Sequence, residues 1–179
     1  LYKMQLSKVL VLAGYTQYAM NVQNVEQFVG GLLSGLVQKD DFKNINACLQ
    51  DASGLETEIE AAIADIEKKD IADLVKGVQQ IIKIAQQLPT DLQNCKGVSA
   101  DVKRVETWAQ KFTNPETLVM TLVENVTKNF GEIMTDAGNI KTDADKQDYK
   151  DAGTATADLL VSALGKVPET SDDLEITQW

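Results

Sequence analysis

Histidine is absent from this chain of 179 residues, and arginine occurs once, at Arg104. Histidine is the side chain most used for proton transfer near neutral pH, and it is a common transition-metal ligand. Its absence excludes nucleophilic sites of the Ser/His and Cys/His kinds, and zinc sites that require imidazole. We therefore expect no catalytic, cofactor-binding or metal-binding residues, and we predict that the protein is not an enzyme.

Positive charge is scarce as well, because 17 basic residues stand against 27 acidic ones, for a formal net charge of −10. A protein that binds duplex nucleic acid needs a basic face to replace phosphate counterions. The sequence offers no such face, so nucleic acid is not an expected partner. The apolar run Val9–Ala13 is far too short to span a bilayer, so no transmembrane segment is expected there.

Only three prolines and eleven glycines interrupt the chain, which favours long helices over a turn-rich β sandwich. Apolar residues make up 44% of the sequence, enough for a substantial core, and many of them recur at three- and four-residue spacing. We predict an all-α fold: a single-domain helical bundle of about six helices over residues 22–167. Extended arms, residues 1–21 and 168–179, would flank it.

The two cysteines, Cys48 and Cys95, bracket a pair of amphipathic helices that meet near Asp70. The second helix carries a clear apolar stripe that starts at Ile71, and we expect it to end at Pro89. The two arms have about 21 and about 25 residues, so an antiparallel hairpin would bring the sulfurs to a similar level. This geometry favours a disulfide and an oxidising compartment, with two reduced, buried thiols as the alternative.

Three glycines, Gly30, Gly31 and Gly35, interrupt an apolar helical stripe near the start of the predicted bundle. Glycine costs about 1 kcal/mol relative to alanine inside a helix, so we interpret these positions as sites of close helix approach. A phosphate-binding loop is the alternative interpretation. It is disfavoured because neither a preceding strand nor a following Lys-Ser/Thr pair is present.

Two acidic segments each allow a functional and a structural interpretation. The cluster from Glu56 to Glu60 could supply paired catalytic carboxylates, but a solvated helix face is the favoured prediction. Asp143-Ala144-Asp145 has the first positions of a calcium loop, without the later glycine and glutamate. We therefore predict a helix-capping loop within the polar residues 135–148, followed by a last helix over about 143–165.

Thr113-Asn114-Pro115-Glu116 predicts the start of another helix. We expect that helix to bury an apolar stripe consisting of Leu118, Leu122, Val126, Phe130 and Ile133. Asn125-Val126-Thr127 is the only glycosylation sequon in the sequence. Asn125 is therefore a candidate N-glycosylation site, provided that its side chain faces solvent.

The two ends of the chain differ in charge: residues 1–21 carry +2, and residues 166–179 carry −3. Residues 1–21 have a lysine-bearing start and a short apolar centre, as in a secretory signal, but Gln17 stands where a small residue normally precedes cleavage after Ala19. A retained assembly arm is the favoured interpretation. We predict that the arms join neighbouring copies head to tail, which gives filaments when the rotation does not close. Folding of both arms back onto their own domain is the alternative.

Several segments together resemble an uncharacterised family of small secreted helical proteins of ciliated protists. They are Phe28-Val29-Gly30-Gly31-Leu32-Leu33-Ser34-Gly35-Leu36, the cysteines Cys48 and Cys95, Asn125 with the later Ile133, and Tyr149-Lys150-Asp151-Ala152-Gly153. The resemblance covers roughly residues 25–167. It implies secretion and a Cys48–Cys95 pair, and it implies no activity and no catalytic residue.

The leading functional prediction is a non-enzymatic extracellular structural or assembly protein, with subunits joined head to tail. The alternative is a carrier of a lipid or another apolar ligand, because helical bundles can hold such molecules between facing helices. An enzyme that relies on carboxylates and lysines alone ranks third.

Overall fold

The computed structural model describes residues 20–45, 48–49 and 54–169, and this part of the chain is helical, without strands. The predicted arms lie largely outside it, because residues 1–19 and 170–179 are not among those described. The described helices are α1 (Val22–Val37), α2 (Phe42–Ile45), α3 (Leu55–Ile66), α4 (Ile71–Asp91), α5 (Ser99–Gln110), α6 (Pro115–Asp145) and α7 (Tyr149–Leu164). The predicted all-α bundle is confirmed.

Glycines bring the backbones of α1 and α7 into direct contact. A β-carbon added at Gly31 would overlap the carbonyl of Lys150, and one added at Gly153 would overlap the carbonyl of Phe28. At Gly35 an added β-carbon would lie 2.6 Å from the β-carbon of Ala157, closer than real β-carbons approach. The interpretation of this glycine-rich stretch as a site of close helix approach is confirmed, since α1 is a continuous helix through it.

Helices α3 and α4 form the predicted hairpin, and Asp70 caps α4 by accepting a hydrogen bond of 2.7 Å from the backbone N–H of Ala72. The disulfide Cys48–Cys95 joins the residues that follow α2 to those that follow α4, with 5.3 Å between the Cα atoms. It closes a loop with a sequence separation of 47. In the chain-entropy model such a crosslink stabilises the fold by about 4 kcal/mol. Ile84, which lies off the main stripe, is also fully buried, so a second face of α4 is covered.

Pro89 does not end α4, as the sequence suggested, because the helix continues to Asp91. Proline removes its own N–H from the helical hydrogen-bond ladder and crowds the carbonyl four residues earlier, but it leaves the N–H groups of the following residues in place. The last turn still closes, since the backbone N–H of Leu92 donates to the carbonyl of Leu88 at 2.8 Å.

The predicted helix-capping loop is much shorter than residues 135–148, because α6 extends to Asp145 and leaves only residues 146–148 as the connection. Residues 135–148 are mostly polar, but the helix needs only a few small and branched side chains to form its buried stripe. Its buried members are Ile133, Ala137, Ile140 and Ala144. Helix α7 then begins at Tyr149, and the side chain of Asp148 caps it by accepting from the N–H of Asp151 at 3.2 Å.

Candidate functional site

A group of exposed apolar side chains lies on α6 and on the adjoining start of α4. Three of them lie within one turn and a half of α6, the fourth lies two turns further along that helix, and the fifth is the first residue of α4. We call this group the α6 surface. Its members, with their exposed fractions, are Val119 (40%), Met120 (73%), Val123 (52%), Phe130 (52%) and Ile71 (53%). In the described part of the chain, one other large apolar side chain, Val22, is comparably exposed.

A shallow groove joins the α4 and α6 parts of this surface. Its α4 wall is formed by Ile71, Leu74 and Val75, and its α6 wall includes Val123 and Val126. The groove has a volume of about 70 Å³, and one water molecule in the liquid occupies about 30 Å³. It is therefore an indentation that could receive one side chain, and it is too small to enclose a lipid.

Two members of the α6 surface were expected to be buried, and both predictions are wrong. Phe130 follows Asn129, whose φ of −116° and ψ of 25° depart from helical geometry. The Asn129 side chain donates to the carbonyl of Ser162 at 3.0 Å, and the buried stripe skips Phe130 and resumes at Ile133. Ile71 is the first residue of α4 and lies at the hairpin turn, where the paired helix α3 has already ended.

The charges near the α6 surface are mainly negative. Over residues 115–134 of α6, three glutamates (Glu116, Glu124 and Glu132) stand against one lysine, Lys128, which gives a net charge of −2. Lys128 lies 2.7 Å from Glu124, and its hydrogen bond lowers the pKa of that carboxyl. Exposed pairs of this kind add little stability, so their main effect here is on the local potential.

The candidate glycosylation residue Asn125 points toward α7. Its side-chain nitrogen is partly buried and donates to the carbonyl of Ala163 at 2.9 Å. Together with the bond from Asn129 to Ser162, this satisfies two carbonyls in the last turn of α7, which have no partner within the helix. The nitrogen that would carry a glycan is thus already used in the folded domain, and glycosylation at Asn125 stays a prediction.

A buried polar cluster, which the sequence analysis missed, links three distant segments. Lys39 lies 2.8 Å from Asp101 and 3.5 Å from Asp41, and Arg104 lies 3.1 Å from Asp101. Arg104 also donates to the carbonyl of Pro168 at 2.8 Å. The cluster therefore ties the loop after α1 to α5 and to the segment that follows α7.

The two carboxyls of this cluster have shifted pKa values in opposite directions. Burial, reinforced by the neighbouring Asp101, raises the pKa of Asp41. Burial acts to raise the pKa of Asp101 too, but hydrogen bonds from Lys39 and Arg104 help to hold it below its usual range. Both carboxylates are almost wholly inaccessible, so this pair serves the fold and is poorly placed to act on a substrate.

A second acidic group lies between α6 and α7. Burial first, and then the charges of Asp158 and Glu132, raise the pKa of Asp136 to about 6. Its ordinary value is 3.8, so the folded protein binds a proton at this position more tightly than the unfolded chain does. The group therefore makes stability depend on pH in the mildly acidic range.

The predicted solvated face of α3 is only half exposed. Glu56, Glu58 and Glu60 are all half-buried. Glu60 accepts a hydrogen bond of 3.1 Å from the backbone N–H of Met20, and burial raises the pKa of its carboxyl. This contact fixes the point at which the N-terminal segment meets the bundle.

The described ranges hold neither a cluster of metal-ligating side chains nor a helix that could cross a membrane. No group of three or more Cys, Asp and Glu side chains among those residues is arranged to hold a metal ion. None of the helices described is long and apolar enough to cross a membrane.

Comparison with known proteins gives one assignment. Neither the search of curated proteins nor the search of solved structures found a match. The match to a family covers residues 6–164, and so includes the two segments that pack at the α1–α7 contact. The family's description refers to secretion and to no group of organisms, so the ciliated-protist source stays a prediction. Because most of its length matches, the chain belongs to the secreted protein B-like (SctB-like) family.

Proposed function

We propose that this protein is a non-enzymatic extracellular structural protein whose copies assemble head to tail through their terminal arms. The observation that supports this proposal most is the α6 surface. The largest exposed apolar patch of a soluble protein is often functional, and such patches commonly mark interaction sites. Membership of a secreted family supports the extracellular location.

The α6 surface alone would give a weak contact. Full burial of a large apolar side chain contributes about 1.5–3 kcal/mol. Since the five side chains are about half exposed, covering them would contribute roughly 1 kcal/mol each, or about 5 kcal/mol in all. Association itself costs at least about 4 kcal/mol. A stable assembly therefore needs further contact area, which the arms could supply.

A carrier of an apolar ligand is the second candidate, and a different groove favours it. This groove has a volume of about 370 Å³, within the range of small-molecule sites, and Leu36, Val37 and Val167 contribute to its apolar lining. Arg104, Lys166 and Glu169 also line it, with a net charge of +1. Such a groove would suit a ligand with an apolar body and an acidic head group.

One experiment separates the two functions. Sedimentation velocity over a range of protein concentrations should show species larger than the monomer, and native mass spectrometry should show them free of added lipid. Met120→Lys should weaken the assembly at least tenfold, because it places a charge at the most exposed part of the α6 surface. Val22→Lys is the matched control, since it makes the same kind of change at an exposed apolar residue on α1.

The opposite results have clear meanings. A wild-type protein that stays monomeric at all concentrations would refute the assembly function. Lipid that copurifies with the monomer would favour the carrier. Equal effects of Met120→Lys and Val22→Lys would show that the α6 surface has no special role in assembly.

A further inference from the structure

We propose that the apolar run Val9–Ala13 of a neighbouring copy covers the α6 surface. This inference rests on the assembly proposed above and names the contact that would hold it together. Each copy would offer one N-terminal run and one α6 surface. Because the two partners of the contact differ, the contact is heterologous and can propagate from copy to copy.

Charge favours the N-terminal segment over the C-terminal one as the occupant. Residues 1–21 contain Lys3 and Lys8 and no acidic residue. Residues 115–134 of α6 carry −2, so Lys8, next to the apolar run, would approach a surface of opposite sign. The segment 170–179 holds three acidic residues and no basic one, and the same surface would repel it.

The lengths of the two partners also agree. Val119 and Phe130 are eleven residues apart on α6, which corresponds to about 16 Å at 1.5 Å per residue. An extended segment as long as the run Val9–Ala13 would cover about 16 Å at 3.3 Å per residue. One such run can therefore follow the full length of the exposed α6 stripe.

The attachment point of the N-terminal segment allows it to reach a neighbour. Met20 is hydrogen-bonded to Glu60 on α3, so the preceding residues 1–19 start from that helix. The apolar run lies between seven residues (Ala13) and eleven residues (Val9) before Met20, and this stretch of chain can span at most about 25–40 Å. The neighbour whose α6 surface the run covers must therefore lie directly beside α3, where Met20 is held.

Crosslinking tests the contact directly. A photoreactive amino acid replaces Leu12 in the full-length protein, and unlabelled copies are mixed with copies labelled with heavy nitrogen. We expect crosslinks between copies that map to residues 116–130. The double variant Leu10→Asp with Leu12→Asp should raise the concentration needed for assembly at least tenfold, whereas deletion of residues 170–179 should raise it much less.

Each other outcome overturns a defined part of the proposal. Crosslinks confined to one copy would show that the run covers its own surface and that the neighbour is not involved. If the double variant assembles normally while Met120→Lys does not, the surface is an interface with a different occupant, such as a second α6 surface. If the wild type never assembles, the proposed function itself fails, and this inference fails with it.

Discussion

The contact between α1 and α7 leads to a sharp prediction, because one substitution should have opposite effects at two glycines. Gly31→Ala should destabilise the protein strongly. The added β-carbon would overlap the carbonyl of Lys150 and lie 3.1 Å from the backbone nitrogen of Thr154. Backbone atoms cannot rotate away as a side chain can, so the two helices would have to separate.

The size of the effect follows from this separation. A gap of 0.5–1 Å removes roughly a quarter to a half of the dispersion attraction across a contact. Overpacking in cores usually costs about 1–3 kcal/mol, and the cost is high here because the obstructing atoms are backbone. Alanine's better helix propensity offsets only about 1 kcal/mol of it. We therefore expect Gly31→Ala to lower the free energy of unfolding by about 3 kcal/mol.

Gly131→Ala is the matched control. This glycine lies within α6, and an added β-carbon would meet no atom within 4 Å. The substitution should raise the free energy of unfolding by about 0.5–1 kcal/mol, through helix propensity alone.

Urea denaturation, monitored by far-UV circular dichroism, measures the free energy of unfolding of both variants. For a protein of this size, a loss of 3 kcal/mol corresponds to a fall in Tm of about 6–12 °C. If Gly31→Ala is as stable as Gly131→Ala, the close backbone contact between α1 and α7 does not exist in solution.

Two further predictions concern α6. Asn125→Ala should lower the free energy of unfolding by about 1–2 kcal/mol, because it leaves a partly buried carbonyl of α7 unpaired. Thr127→Ala also destroys the sequon, but it should change the free energy of unfolding by less than about 0.5 kcal/mol. Equal losses for the two variants in the unglycosylated protein would contradict the capping role of Asn125. Asp136→Asn should be more stable than the wild type above about pH 6 and equal to it below about pH 4. The pKa of Asp136 is raised to about 6 in the folded protein, so the wild type loses stability as the pH rises from about 4 to about 6. Urea titrations at several pH values check the second prediction, and a stability difference that does not vary with pH would refute it.

The sequence predicted most of the architecture because its main signals are local. The apolar stripe of α4 and the cap at Asp70 depend on residues close together in the chain, and the two cysteines lie at similar distances from that cap. These signals therefore predict the helical hairpin and favour its disulfide. The glycines of α1 indicated a close helix approach, but only the fold identified α7 as the partner.

The candidate surface could not be predicted, because burial depends on what lies opposite each helix. Periodicity showed that Phe130 and Ile71 fall on apolar stripes. It could not show that a departure from helical geometry at Asn129 and the end of α3 leave these side chains uncovered. The cluster of Asp41 and Asp101 was missed for a related reason, since residues 60 positions apart in sequence meet only in the fold.

The pairing of α1 with α7 also dictates an order of events during synthesis. Residues 38–148 separate the two helices, whereas only residues 67–70 separate α3 from α4. The α3–α4 hairpin can therefore form as soon as α4 is made, while α1 has to wait for the last helix to cover its glycine-lined face. Until then α1, whose Val25, Phe28, Val29, Leu32 and Leu33 are completely buried in the finished fold, is the segment of the nascent chain that most needs shielding from aggregation.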